Sequence, residues 1–162
     1  MMQMILKPIG IIHSEFTKAE GTPAQPCFAQ GHEGSVEVFP EYLPGLEDLK
    51  EFDRIWLLYW FDRAAKQQLK VTPFMDETAH GVFATRAPCR PNPIGMSCVR
   101  LLGAEGDRLL VSEVDILDGT PLVDIKPYVP RFDQYAVERC GWLDKDSVRK
   151  ATRIVADNRF AR

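Results

Sequence analysis

The sequence predicts a mainly β protein, a sheet or barrel of short strands with few helices and one helix at its C-terminal end. Three observations carry this. Apolar, β-branched segments of strand length recur along the chain, and loops rich in proline and glycine separate them. Between them there is no helical pattern of about a dozen residues, which a doubly wound α/β domain needs after each strand.

The elements follow in order. Gln3 to Ser14 carries Ile5, Ile9, Ile11 and Ile12 and predicts a first strand, followed by a loop with Gly21, Pro23 and Pro26. Gly34 to Phe39 alternates polar and apolar residues, the period of a half-buried strand, and Pro40 stops it. Leu46, Leu49 and Phe52 recur at a spacing that fits one or two helical turns. Ile55 to Phe61 is the densest apolar stretch and predicts a central strand. Leu69 to Thr72, Gly81 to Thr85, Met96 to Leu102 and Leu109 to Ile116 predict further strands, with Pro73, Pro88, Pro91, Pro93 and Gly106 between them. Asp146 to Asp157 predicts the helix, with Asp144 or Asp146 as N-cap and Val148, Ala151 and Val155 along one face. A chain of 162 residues without repeats fits one domain: a strand-rich body over residues 1–140 and a basic helical extension of it over 141–162.

Composition narrows the function. Ile55 to Phe61, bracketed by Arg54 and Asp62, is far shorter than the roughly 20 apolar residues that cross a bilayer. Met1 to Ile12 lacks the basic, apolar and small-residue succession of a secretory signal, so a cytoplasmic protein is expected. Cys27, Cys89, Cys98 and Cys140 form no CxxC pair and read as reduced thiols. Cys89 lies between Arg86 and Arg90, cations that favour a thiolate, and reads either as such a group or as an incidental small residue. His13, His32 and His80 show no metal-binding spacing, and no metal is expected. The net charge of −3 argues against a protein that coats nucleic acid, yet no acidic residue stands between Glu77 and Glu105, a span holding Arg86, Arg90 and Arg100. Arg139 to Arg162 holds seven Lys/Arg against three Asp. These basic stretches fit either selective contact with a polyanion or a solvated helix face.

Two segments look chemical. In ATRAPCRPNPIGMS, residues 84–97, Pro91 and Pro93 hold Arg90 and Asn92 extended, with little entropy left to lose on binding. The segment fits a small-molecule pocket, and equally a structural loop whose arginines satisfy buried carbonyls. In LDGTPLVDIKPYVP, residues 117–130, Asp118-Gly119 makes a turn and Pro121 interrupts a ladder. If the chain beyond is extended, Asp124, Lys126 and Tyr128 share a face and offer a carboxylate, an ammonium and a phenol. That is either a catalytic face or a structural Asp124–Lys126 ion pair.

Together the two segments resemble the hallmark sequences of the TsaA-like family, whose characterised bacterial members are tRNA methyltransferases. Further similarity lies in PIGIIHS (8–14), PAQP (23–26) and FDRIWLLYWF (52–61), so the resemblance runs from about residue 7 to about residue 133. It implies a small β-barrel, usually homodimeric, that binds S-adenosylmethionine near the hallmark segments. By motif position it points to Arg86, Arg90, Asn92, Pro93, Ile94, Gly95, Asp118, Gly119, Thr120 and Pro121. The implied reaction is N6-methylation of N6-threonylcarbamoyladenosine at position 37, in the anticodon loop of threonine tRNA. Asp124 or Tyr128 would then take or orient the departing proton, and Lys126 would bind a phosphate or the substrate carboxylate. Trp56, Tyr59 and Trp60 are expected in the core, with base stacking as the other role. The chain departs from the family pattern at Ala24, where many members carry arginine, and at Asp53-Arg54, where many carry Ser-His. Longer bacterial members also carry a further C-terminal domain.

Overall fold

A computed structural model describes residues 4–162, and Gln3 of the expected first strand lies outside them. Its strands are β1 (Gly10–Ser14), β2 (Glu33–Val38), β3 (Arg54–Trp60), β4 (Lys70–Val71), β5 (His80–Gly81), β6 (Ile94–Glu105), β7 (Arg108–Ser112) and β8 (Thr120–Pro127). Six of them close an antiparallel barrel in the order β1-β2-β7-β6-β3-β8, while β4 and β5 pair as a separate ribbon. Closure leaves no sheet edge open to pairing with another chain.

The alternation in the sequence explains how the barrel fills. Ile55, Leu57 and Tyr59 point inward from β3, as do Val99 and Leu101 from β6, and Val36 and Val38 meet Leu109 and Val111 across β2 and β7. Ile12 and Leu122 complete this core. Helical turns run through Pro40–Leu46 and Leu49–Glu51, as the spacing of Leu46, Leu49 and Phe52 predicts, and Leu46 and Leu49 pack against the core. A second, smaller cluster outside the barrel joins Val71, Val82, Ala87, Cys89 and Phe160, with Phe74 against it. It ties the proline-rich loop to the C-terminal end of the chain.

Several expected boundaries move for identifiable reasons. The extended stretch from Gly81 to Thr85 becomes a 3-10 turn over Val82–Ala84, because the Thr85 N–H and hydroxyl both donate to the Val82 carbonyl, at 3.1 and 2.9 Å. The strand from Leu109 stops at Ser112, since Glu113 takes φ 64 and turns the chain away from the ladder. The C-terminal helix starts at Asp146 but covers only Asp146–Arg149, α2; a short α1 (Pro130–Asp133) precedes it. Neither Asp144 nor Asp146 caps it, and Asp144 accepts instead from the Cys140 N–H at 2.7 Å. Tertiary hydrogen bonds replace the rest of that helix. The Ile154 carbonyl accepts from the Ala24 N–H at 2.9 Å, Ala156 exchanges bonds with Thr22 and Gly21 at 2.7 and 2.9 Å, and Val155 bridges to Pro23. Among the described residues no helix is long and apolar enough to cross a membrane.

Candidate functional site

A cavity of about 500 Å³ opens beside one end of the barrel. Its walls come from the 17–25 loop, the end of β3 from Tyr59 into Ala64, the proline-rich loop at Thr85, Arg86, Pro88 and Arg90, and the start of β6 at Ile94, Gly95 and Met96. Asp115, Ile116, Leu117 and Thr120 close one side. Six residues of the 156–162 segment, all but Arg159, form much of the other. They are held there by backbone: Ala65 N–H donates to the Phe160 carbonyl at 2.8 Å, and Arg162 donates from its N–H to the Arg63 carbonyl and from Nε to the Ala64 carbonyl, at 3.2 and 2.7 Å.

A short chain of hydroxyls, ending in a carboxylate at the cavity wall, runs through buried Ser97. Ser97 Oγ donates to Asp115 Oδ1 at 2.6 Å, and the Tyr59 hydroxyl lies 3.0 Å from the same Oγ. A serine has one proton to give, so with Ser97 engaged by Asp115 the phenol is the donor to Ser97. Burial pushes the Asp115 carboxyl up to about 7, against the opposing pull of Ser97 and the Arg86 charge. Burial likewise holds the Tyr59 phenol well above its ordinary range. Nearby, Arg63 donates through Nη2 to Thr120 Oγ1 at 3.0 Å, which joins the end of β3 to the second hallmark segment.

Five of the ten residues expected to bind cofactor line this cavity: Arg86, Arg90, Ile94, Gly95 and Thr120. The two arginines of the segment differ in what they touch. Arg90 donates to the Thr85 and Ala87 carbonyls at 3.0 and 3.3 Å and so shapes the loop, whereas Arg86 is exposed and reaches Gln25 Oε1 at 2.7 Å. Asn92, Pro93, Asp118, Gly119 and Pro121 stand outside the lining. The Asn92 and Pro93 carbonyls accept from the Ile94 and Phe61 N–H groups, both at 2.7 Å. Asp118 accepts from the Ser14 N–H at 3.2 Å and faces His13 Nδ1 at 3.3 Å, pinning the turn in which Gly119 takes φ 77, a conformation that suits glycine.

Asp124 and Lys126 form an ion pair at 2.8 Å and line neither this cavity nor its neighbour. A bulge explains the position. Tyr59 pairs with Leu122 but Leu58 with Asp124, so the register skips Val123, and Asp124 and Lys126 stand opposite Leu58 and Trp56 on the outer side. Tyr128 packs edge-on against Trp56 at 5.9 Å and faces a second, more open groove of about 1010 Å³. That groove also meets Arg54, Phe74, Phe83, Cys98 and Trp142, and it shares Arg86, Met96 and Phe160 with the first cavity. Trp142 stacks on His80 at 4.9 Å and donates to the Ala84 carbonyl at 2.7 Å. Of the three β3 aromatics, Tyr59 is core, Trp56 is partly buried and Trp60 is exposed.

Of the two readings of Cys89, the incidental small thiol fits the structure, because burial pushes its thiol up and outweighs the Arg90 charge. No sequence pattern singles out Asp115, Ser97, Arg63 or the 156–162 segment as part of this cavity, and Tyr59 is expected in the core or in base stacking. One signal for Asp115 was present: an acidic residue between Val114 and Ile116, both buried.

The sequence profile of the tRNA-methyltransferase O N-terminal domain matches residues 11–134, covering both hallmark segments. The chain belongs to that family. It is 53% identical to a probable S-adenosyl-L-methionine-binding protein of Pyrococcus abyssi (strain GE5 / Orsay), over 98% of this chain and 86% of that protein. The crystal structure of TrmO from Pseudomonas aeruginosa superposes with a TM-score of 0.74 at 42% identity, over 88% of this chain and 64% of that one. A tRNA (adenine(37)-N6)-methyltransferase of Mus musculus is 34% identical over 80% of this chain and 32% of its own length. The chain thus spans under two thirds of the TrmO structure and about a third of the mouse enzyme.

Proposed function

We propose that this protein is a methyltransferase that uses S-adenosylmethionine to methylate N6 of N6-threonylcarbamoyladenosine at position 37 of tRNA, threonine tRNA above all. One observation carries the reading: Arg86, Ile94 and Gly95 of the first hallmark segment and Thr120 of the second line one cavity, in a chain whose family is defined by tRNA-methyltransferase O. The cavity volume of about 500 Å³ falls in the range of small-ligand pockets, roughly 300–1,000 Å³. Phe61, Ile94 and Met96 offer apolar wall for a purine, and Arg86 faces an amino-acid carboxylate. The bound sulfonium supplies an activated methyl group, so the protein's task is largely alignment.

The neighbouring groove takes the substrate nucleotide. Adenosine 37 lies in a single-stranded loop and splays out at little cost, and Phe83, Trp142 and Tyr128 offer stacking surface. Lys126, exposed beside Trp56 in the β3–β8 register, meets an RNA phosphate or the threonyl carboxylate, with Asp124 positioning it. Asn92, Pro93, Asp118, Gly119 and Pro121 act by fixing the loops that carry the cavity residues. The protein works in the cytoplasm as a homodimer, and residues 141–162 add basic surface to the same domain. Calorimetry with S-adenosylmethionine, and mass spectrometry of tRNA nucleosides from a deletion strain, test the proposal. Binding, and a methylated nucleoside that disappears and returns with the gene, are expected. No binding, or an unchanged nucleoside profile, would sink it.

A further inference from the structure

Resting on that reading, we infer that Asp115 is the general base of the reaction, accepting the proton of the nitrogen that is methylated, with Ser97 and Tyr59 as its positioning residues. Methyl transfer to an N–H nucleophile forms a nitrogen–carbon bond and breaks a carbon–sulfur bond. The sulfur keeps the electron pair and becomes a neutral thioether. One proton remains to be removed from nitrogen, and the side chain that takes it needs an open lone pair at the cavity wall.

Three carboxylates line the cavity, and geometry separates them. Asp62 is paired with Arg63 at 3.3 Å and Asp157 with Arg159 at 2.6 Å, so each is committed to a cation. Asp115 is paired with no cation among the described residues: its Oδ1 accepts from Ser97, and its own backbone N–H is the other hydrogen-bond partner of the carboxyl. Among the described residues no side chain donates to its Oδ2, and Asp115 lines the cavity, where no buried side-chain oxygen is left without a partner. The Tyr59–Ser97–Asp115 chain fixes the carboxyl orientation from the barrel wall and leaves this second oxygen for the incoming proton. A carboxylate raised toward neutral pH is matched to such a transfer, because it is deprotonated often enough to act and basic enough to hold the proton. The ionisable groups facing Asp115 are Tyr59 from β3, Arg86 from the proline-rich loop and Cys27 from the Pro26–Phe28 turn. Lys18, Arg63, Arg90 and Arg162 complete the cationic side of the cavity.

The test uses the full chain and Asp115→Asn, which keeps the side-chain shape and an oxygen for Ser97. Single-turnover methyl transfer to tRNA should fall by about 10²- to 10⁴-fold, the span of general acid–base contributions, while calorimetric affinity for S-adenosylmethionine stays within a few-fold. The wild-type rate should rise through a midpoint near pH 7 that Asp115→Asn lacks. Ser97→Ala removes a hydrogen bond to the carboxylate and should move that midpoint upward, which a purely structural serine would not do. Independently of activity, isotope-edited infrared spectroscopy of the ligand-free protein should show one carboxyl titrating near pH 7, absent from Asp115→Asn. Equal rates and pH profiles in wild type and Asp115→Asn overturn the inference alone. Loss of cofactor affinity in Asp115→Asn overturns it in favour of a binding role, and a wild-type protein that transfers no methyl group overturns the proposed function as well.

Discussion

The ring of Tyr59 lies across Gly95 so closely that a Cβ at residue 95 would stand 2.2 Å from Tyr59 Cε2 and 2.5 Å from Cζ, with Phe61 Cζ at 2.9 Å. The glycine of the first hallmark segment is thereby tied to the phenol that reaches Ser97. Gly95→Ala should displace the ring, destabilise the fold by about 1–3 kcal/mol as overpacking of a core does, and break the Tyr59–Ser97 contact. Urea denaturation checks the first effect. A variant within about 0.5 kcal/mol of wild type would show that the ring is not constrained by this contact.

Arg54 grips Glu113 with two nitrogens, Nη1 to Oε2 at 2.8 Å and Nη2 to Oε1 at 3.0 Å, and both side chains are largely withdrawn from water. Arg54→Ala leaves the Glu113 carboxylate without its bidentate partner, Arg100 being 3.8 Å away, and should cost about 1–3 kcal/mol. Arg54→Lys should cost less. A double-mutant cycle with Glu113→Gln measures the coupling, and a value near zero would mean that Arg100 or solvent substitutes fully.

Stability should depend on pH through Asp115. Its folded value, about 7, lies above the ordinary carboxylate value of 3.8, so folding favours the protonated form. That stabilisation is complete below pH of about 4 and is lost as pH rises through 7. Wild type should therefore lose stability between pH 5 and pH 8 relative to Asp115→Asn, groups common to both proteins cancelling in the difference. Parallel denaturation curves at the two pH values in both proteins would refute it.

The basic C-terminal stretch divides into committed and available cations. Lys145 pairs with Asp76 at 2.6 Å, Arg159 with Asp157 at 2.6 Å, and Arg162 donates to the Ala64 carbonyl. Arg149 and Arg153 make no ion pair among the described residues. If this surface contacts tRNA, Arg149→Glu with Arg153→Glu should lower the salt slope of tRNA binding by about 0.7–0.9 per lost phosphate contact and leave cofactor affinity intact. An unchanged slope would assign these charges to solvation.

The sequence by itself determined most of the strands and the family, but not the 3-10 turn at Val82–Ala84, and it left the extension of β8 conditional. Alternation in β2 and the dense apolar run of β3 are local patterns that burial on one or both sides imposes on neighbouring residues, and the two proline-rich segments are contiguous text. The tertiary structure decided what those segments face. Ser97 and Asp115 are 18 residues apart and Tyr59 and Ser97 are 38 apart, and closure of the barrel through β3 and β6 brings them together. The bulge at Val123 turned Asp124 and Lys126 outward, although regular alternation alone would place them on the side of Leu122. Beyond Arg149 a helical pattern gave way to hydrogen bonds from Gly21 and Ala24, because contacts across the chain outweigh the small helical preference of so short a segment.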